Sequence, residues 1–414
     1  MPNSWQYNLT IQHELWRDTR LEIGYVANRN LHWEIRSDIN AVLPADRLAY
    51  FQASGNGGAR KALRPFGPMR GDNGLTYYTH SGQSGYNSLQ MLFNTRFHRN
   101  SIFQATYTWS KLLSDTQLID SPNNNVDFYN PRANRGPDLL NRAQIFSANW
   151  IYNLPTLQAQ NGLIRNAFGS WEMSSIISVA SGSNVTPYIN SLTGGGDFSG
   201  TGSGGNENPM RVAAQSCRAN SGDSRQWLNA NAFTMNGFQI GKLGSSGFGI
   251  CTAPGNADVD FSLRKNFKIT ERIKMQFQLD FFNLFNHPQY RADSLNLGLN
   301  FSAPAQFDAN SLGLGDTTTA EFLDSAGNPV FEPKGADLNK KHTIATPGPG
   351  GSLYNGYTGC GANHLASPTG TQDQRFCAVS VVNTTLTPSQ TFGLATASRE
   401  NGWRQIQYGL KFSF

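Results

Sequence analysis

The chain has 414 residues, of which 38% are hydrophobic, 15% charged and 12% aromatic, with 42 glycines and a formal charge of +5. Hydrophobic and charged shares both fall below the ~45–50% and ~25% usual for soluble domains, while the aromatic content and small net charge exclude the composition of a disordered chain. The positive charge forms no Lys/Arg run and so gives no footprint for nucleic acid, and no stretch approaches the ~18 consecutive apolar residues of a membrane-spanning helix.

Nine segments alternate apolar and polar side chains with period two, as a strand with one greasy and one wet face does. "SWQYNLTIQ" sets Trp5, Tyr7, Leu9 and Ile11 on one side. A polar turn at 17–19 leads to "RLEIGYVAN", with Leu21, Ile23, Tyr25 and Ala27 together. After a Gly/Pro/Arg-rich stretch, "YNSLQMLFNTRF" aligns Leu89, Met91, Phe93 and Phe97, and a tight turn leads to "IFQATYTWS", with Phe103, Ala105, Tyr107 and Trp109. Another loop precedes "AQIFSANWIYNL", and a medium connection joins it to "WEMSSIISVASG". Beyond the longest glycine-rich region, "VDFSLRKNF" opposes Val259, Phe261 and Leu263 to Asp260, Ser262 and Arg264. A turn near 268–271 leads to "RIKMQFQLDFF", and the last segment is the C-terminal "RQIQYGLKFSF".

Short or medium connections alternate with long ones, which is the rhythm of an up-and-down outer-membrane barrel with short periplasmic turns and long extracellular loops. The polar faces are mostly Gln, Asn, Ser and Thr, as a wet lumen requires, and strands of about ten residues match the ~9–11 that cross at a tilt. Trp5, Tyr7, Trp109, Trp150, Trp171 and Trp403 fit interfacial girdles. A β-sandwich also alternates, but its turns recur every ~8–12 residues without the long–short rhythm. The predicted fold is therefore all-β: an antiparallel transmembrane barrel portion of nine or ten strands covering 1–414, held by outer-membrane lipid. The long loops read as too rich in Gly, Pro and Asn to pack a core of their own.

Nine strands is an odd number. If the last ends in the periplasm, Met1 starts outside the cell, whereas single-chain bacterial barrels have even strand numbers. Either a strand is missed, near "FGLATAS" at 392–398, or the chain is the C-terminal part of a larger barrel; the lack of a visible signal peptide favours the second.

Few residues offer chemistry. Proximity pairs Cys217 with Cys251 and Cys360 with Cys377 as loop staples of an oxidising compartment, although four cysteines allow three connectivities. Asp258, Asp260 and Asp280 share the wet side with Arg264, Arg272 and Lys274. They read as a cross-strand ion-pair ladder rather than as a substrate-contacting set. Lys265 falls on the lipid side next to a short turn, which predicts an interfacial position, since a midplane lysine costs ~2–4 kcal/mol. Tyr77, Tyr78, Tyr354 and Tyr357 are loop aromatics able to stack on sugars or aromatic ligands. HExxH, GxSxG and paired catalytic carboxylates do not occur, so neither an enzyme nor a metal or other cofactor is expected.

The opening "SWQYNLTIQHELWRDTRLEIGYVANR", the pair "YNSLQMLFNTRF…FQATYTWSK" and "FSLRKNFKITERIKMQFQLDFFNLFNHPQY" together resemble the C-terminal barrel portion of TonB-dependent outer-membrane receptors. The nearest flavour is the Oar-like group, whose members carry a carboxypeptidase-regulatory-like N-terminal domain. The terminal residues Gln407, Gly409, Phe412 and Phe414 are similar to the signal by which the barrel-assembly machinery receives its substrates. The resemblance implies energised uptake of an unknown ligand by a parent barrel of ~22 strands closed by a plug. Coupling to TonB would run through plug and TonB-box segments that these residues do not contain. A second implied role is an adhesin-like barrel that displays disulfide-stapled loops.

Overall fold

The computed structural model describes residues 1–52, 57–97, 101–115, 127–155, 157, 161, 164, 167–192, 199–201, 208–234, 238–239, 241–268, 273–302, 391–398 and 403–413, with short strands at 321–323, 329–331, 354–358, 378–382 and 387–388. All nine expected segments are strands of one antiparallel sheet, and they neighbour one another in chain order. They are β1 Asn3–Trp16, β2 Thr19–Asp38, β3 Thr76–Phe97, β4 Ser101–Ser114, β5 Gln144–Asn153, β6 Trp171–Ala180, β7 Asn256–Lys268, β8 Lys274–Phe282 and β9 Gln405–Ser413. A two-residue strand at Gly136–Pro137 adds to the end of β4. Among the described residues no helix is long and apolar enough to cross a membrane.

Period-two alternation survives pairing because antiparallel partners share a face. One row runs through Trp16, Thr19, Thr95, Phe103, Trp150, Ser175, Phe261, Phe281 and Ile406. A row of the other face runs through Gln12, Glu22, Leu92, Thr106, Ser147, Ser178 and Asp258. The sheet thus has one largely apolar and one largely polar surface over its full width. The first row starts at the short-turn end of β1 and finishes at the long-connection end of β9. Strands perpendicular to such a row lean, which is the stagger that a curved barrel wall requires.

Two strands exceed expectation. β2 and β3 have 20 and 22 residues, about twice the ~9–11 needed to cross. Their outer parts pair beyond the reach of β1 and β4, with register shifts around Trp33. His32 there has φ 60°. The polar pattern fades in this stretch, so periodicity alone placed the strand ends too early.

The expected extra strand at 392–398 does not join the wall. Phe392 and Ala395 are buried in a separate core, and Leu394, Ala395 and Ser398 make only isolated bridges. That core also corrects the expectation that the loops pack none. Val185, Leu228, Phe233, Phe238, Leu295, Leu299 and Phe392, each under 9% exposed, come together from the two longest connections. Glycine-rich composition obscured them because the apolar residues are scattered singly and meet only in three dimensions.

Candidate functional site

Three surfaces can meet a ligand or partner: the polar face of the wall, the layer of long connections above it, and the terminal strand.

On the wall, Asp258, Asp260 and Arg264 of β7 share the polar face with Lys274 and Asp280 of β8, as the alternation requires. Arg272 lies outside the described residues. Among the described residues no ion pair joins these charges to one another. Arg264 pairs with Glu172 of β6 at 3.2 Å, a carboxylate the sequence reading did not name because it sits on a different segment. Asp260 instead accepts from the backbone N–H of Asn283 at 3.0 Å, and Asp280 accepts from Gln278 at 2.7 Å. The buried Oδ1 of Asp258, Oγ of Ser262 and Nε of Arg264 have no hydrogen-bond partner among the described residues.

Asp260 caps the turn that follows β8, and the motif "FFNLFNHP" explains that turn. Asn283 and Asn286 have φ 49° and 52°, a region that asparagine tolerates better than most residues. Asn283 accepts from His287 N and donates to His287 O, both at 2.9 Å. Asn286 accepts from Arg404 N at 3.0 Å, which fixes the entry into β9. The motif is a strand terminator that also aims the last strand.

On the apolar face, Phe97 of β3 stacks on Tyr152 of β5 with ring centroids 6.2 Å apart. Lys265 sits near the short-turn end, as expected, but is buried rather than snorkelling: it is 2% exposed. Its ammonium donates to the carbonyl of Gly169 and lies 5.1 Å from the Trp171 ring centroid.

In the connecting layer, Cys217 and Cys251 form the expected disulfide; Cys360 and Cys377 lie outside the described residues. The bridge borders the loop core, where Trp227 donates to Thr252 O at 2.7 Å and Gln226 donates to Phe392 O at 2.7 Å. Gly393 has φ 75°, and a Cβ there would lie 2.5 Å from Leu228 Cβ. Only glycine lets these two connections approach so closely.

A second, polar cluster joins the connection 39–75, which carries α1 Arg47–Gln52, α2 Gly57–Ala62 and α3 Gly67–Arg70. Arg64 is 4% exposed and donates to Asp72 at 2.7 Å, Tyr50 at 2.9 Å and the Asn40 carbonyl at 2.8 Å. Arg60 lies 4.1 Å from the Tyr50 ring centroid, and the Tyr50 hydroxyl donates to Asp72 at 2.6 Å. Arg47 reaches Asp127 of the next long connection at 2.5 Å. None of these residues stood out in the sequence, because their spacing is irregular and their partners are remote.

Burial, followed by the hydrogen bond to Asp72, pushes the Tyr50 phenol up to about 12. The folded state therefore holds this proton where the unfolded chain, with an ordinary phenol near ~10, releases it. The contribution is intact below pH ~10 and is lost as pH rises towards 12. Absorbance at 295 nm is expected to show one tyrosine ionising last, and Tyr50→Phe to remove that phase. A titration unchanged by the substitution contradicts the assignment.

In β9, Gln407, Gly409 and Phe412 pair with Asp280, Gln278 and Met275 of β8; Phe414 lies outside the described residues. Phe412 is on the apolar face and Gln407 on the polar one. Changing Phe414 to Ser is expected to lower the folded amount in the membrane with little effect on synthesis, read as the heat-modifiable band on a gel.

A sheet with a lipid-type face, a wet face and alternating connections is a membrane β-barrel wall. Residues 1–321 match the family described as outer membrane beta barrel domain, and the chain belongs to that family. No curated protein matches the chain. It is an outer-membrane protein, with the short turns on the periplasmic side and the long connections outside.

Proposed function

We propose that the chain is the C-terminal barrel part of a TonB-dependent receptor that takes up a ligand across the outer membrane. The observation that carries this reading is the pairing of a polar wall face with a folded extracellular layer. Tyr77 and Tyr78, which the structure places in the outer end of β3 rather than in a loop, are 47% and 53% exposed and serve as first contacts, and the wall offers a wet path behind them. Among the described residues β1 and β9 each pair on one side only, which suits a wall that further strands complete. The plug and TonB box of such a receptor would precede residue 1 in the full protein and supply energy coupling. The role proposed is binding and transport, not catalysis.

The discriminating experiment reads the coding sequence upstream of Met1 and measures uptake. An in-frame plug and TonB box, with ligand-dependent growth abolished by loss of TonB, supports the reading; a signal peptide abutting residue 1 overturns it. The second reading, an adhesin-like barrel, is favoured by the disulfide-stapled layer. It predicts surface attachment that persists without TonB.

A further inference from the structure

At the periplasmic end of the wall, two side chains of the lipid face hold the connection that joins β5 to β6. Lys265 and Trp171 are registered partners on β7 and β6, two positions from the lipid-face pair Leu263 and Met173. The Lys265 ammonium donates to the carbonyl of Gly169, and the Trp171 indole N–H donates to the carbonyl of Ala167 at 2.9 Å. Both acceptors belong to the connection, so this part of it lies on the lipid side of the sheet and not beneath the lumen. The burial of Lys265 agrees. An ammonium on a greasy face ordinarily snorkels towards water, yet Lys265 is 2% exposed, with the Trp171 and Phe267 ring centroids at 5.1 and 5.4 Å.

The connection is built to be amphipathic. Ile164, Ala167 and Phe168 are helical, and the Asn161 side chain accepts from the Ile164 N–H at 2.9 Å, as a cap does. The Ala167 and Gly169 carbonyls fall at the other end, where a helical turn leaves acceptors without partners of its own; Trp171 and Lys265 supply the donors. Ile164 and Phe168 are four positions apart and therefore neighbours on one side of a helix. They are 39% and 67% exposed. In the sequence, Leu163, Ile164, Ala167 and Phe168 recur at the spacing of one apolar helix side, with Arg165 and Asn166 between them.

We propose that this connection is a membrane-interface foot, whose apolar side enters the phospholipid of the periplasmic leaflet through Ile164 and Phe168 while Lys265 and Trp171 clamp it to the rim of the wall. Continuity decides the occupant. The hydrocarbon that covers Met173 and Leu263 reaches Trp171 and Lys265 next along the same face, and those two residues touch the foot. Tryptophan concentrates at this depth, and helical segments with a Phe/Leu side and a basic side lie in the interface plane.

The test uses the full-length protein in its own outer membrane, with the photoreactive substitutions Phe168→benzoylphenylalanine and Ile164→benzoylphenylalanine. The same probe replaces Ile177 on the lipid face and Thr106 on the polar face as controls. Irradiation is expected to give phospholipid adducts at 164, 168 and 177 and none at 106. Lys265→Met should reduce the adduct at 168 about tenfold, since a charge-assisted hydrogen bond is removed, and Lys265→Arg should retain it. Heat-modifiable migration reports that each variant is folded. Absence of phospholipid adducts at 164 and 168 while 177 reacts overturns the proposal, as do adducts with polypeptide or with an outer-leaflet glycolipid. An undiminished adduct in folded Lys265→Met overturns the clamp.

Discussion

Asp127→Ala is expected to open the extracellular layer while leaving the wall folded. Arg47 and Asp127 meet at 2.5 Å with side-chain exposures of 6% and 4%, and they tie together connections 80 residues apart in sequence. Alanine leaves the guanidinium buried without its counter-charge. Breaking a buried pair from one side costs about 3–5 kcal/mol, although replacing both partners with well-packed apolar residues is often neutral. Among the described residues the Arg47 Nε has no hydrogen-bond partner either. Proteolysis of intact vesicles should accelerate within 39–75 and 115–143 by on the order of a hundredfold, where cleavage follows the population of the open form. R47M/D127L should recover most of the protection. Unchanged cleavage of the alanine variant would mean that the pair holds nothing together.

The double variant C217S/C251S is expected to loosen the other half of the layer by about 4 kcal/mol, the loop-closure contribution for this span on the chain-entropy estimate. The bridge spans 34 residues, and Cys251 itself lies in the loop core at 1% exposure. Protease sites in 208–234 should become accessible in the variant, and in the natural protein on reduction. Because β6 and β7 pair through ten registered positions outside this loop, the heat-modifiable wall should survive. Loss of the wall itself would show that the layer, and not the sheet, nucleates folding.

How much was readable beforehand follows from the range of the interactions. The nine strands were legible because lipid on one side and water on the other impose a local period of two, and residues such as Phe261 and Asp260 obey it whatever their partners. Cys217 and Cys251 were legible through proximity. The loop core was not, because Leu228 and Phe392 lie 164 positions apart in the sequence and neither sits in a periodic run. The charged set was half legible. Alternation put Asp260 and Arg264 on the correct face, but their partners, Asn283 N and Glu172, depend on a turn and a register that no spacing rule encodes. The same holds for Arg64, whose partners include three points of one irregular connection and Asp38 at the end of β2.

The interior shared by the two longest connections restricts how the exposed surface can change. Phe233 and Phe392 meet edge to face at 5.6 Å, and Gly393 closes against Leu228. Drift that lets the cell evade a phage or an antibody therefore has to arise in matched substitutions across distant stretches, and single replacements at these contacts should be purged even though they never touch the invader.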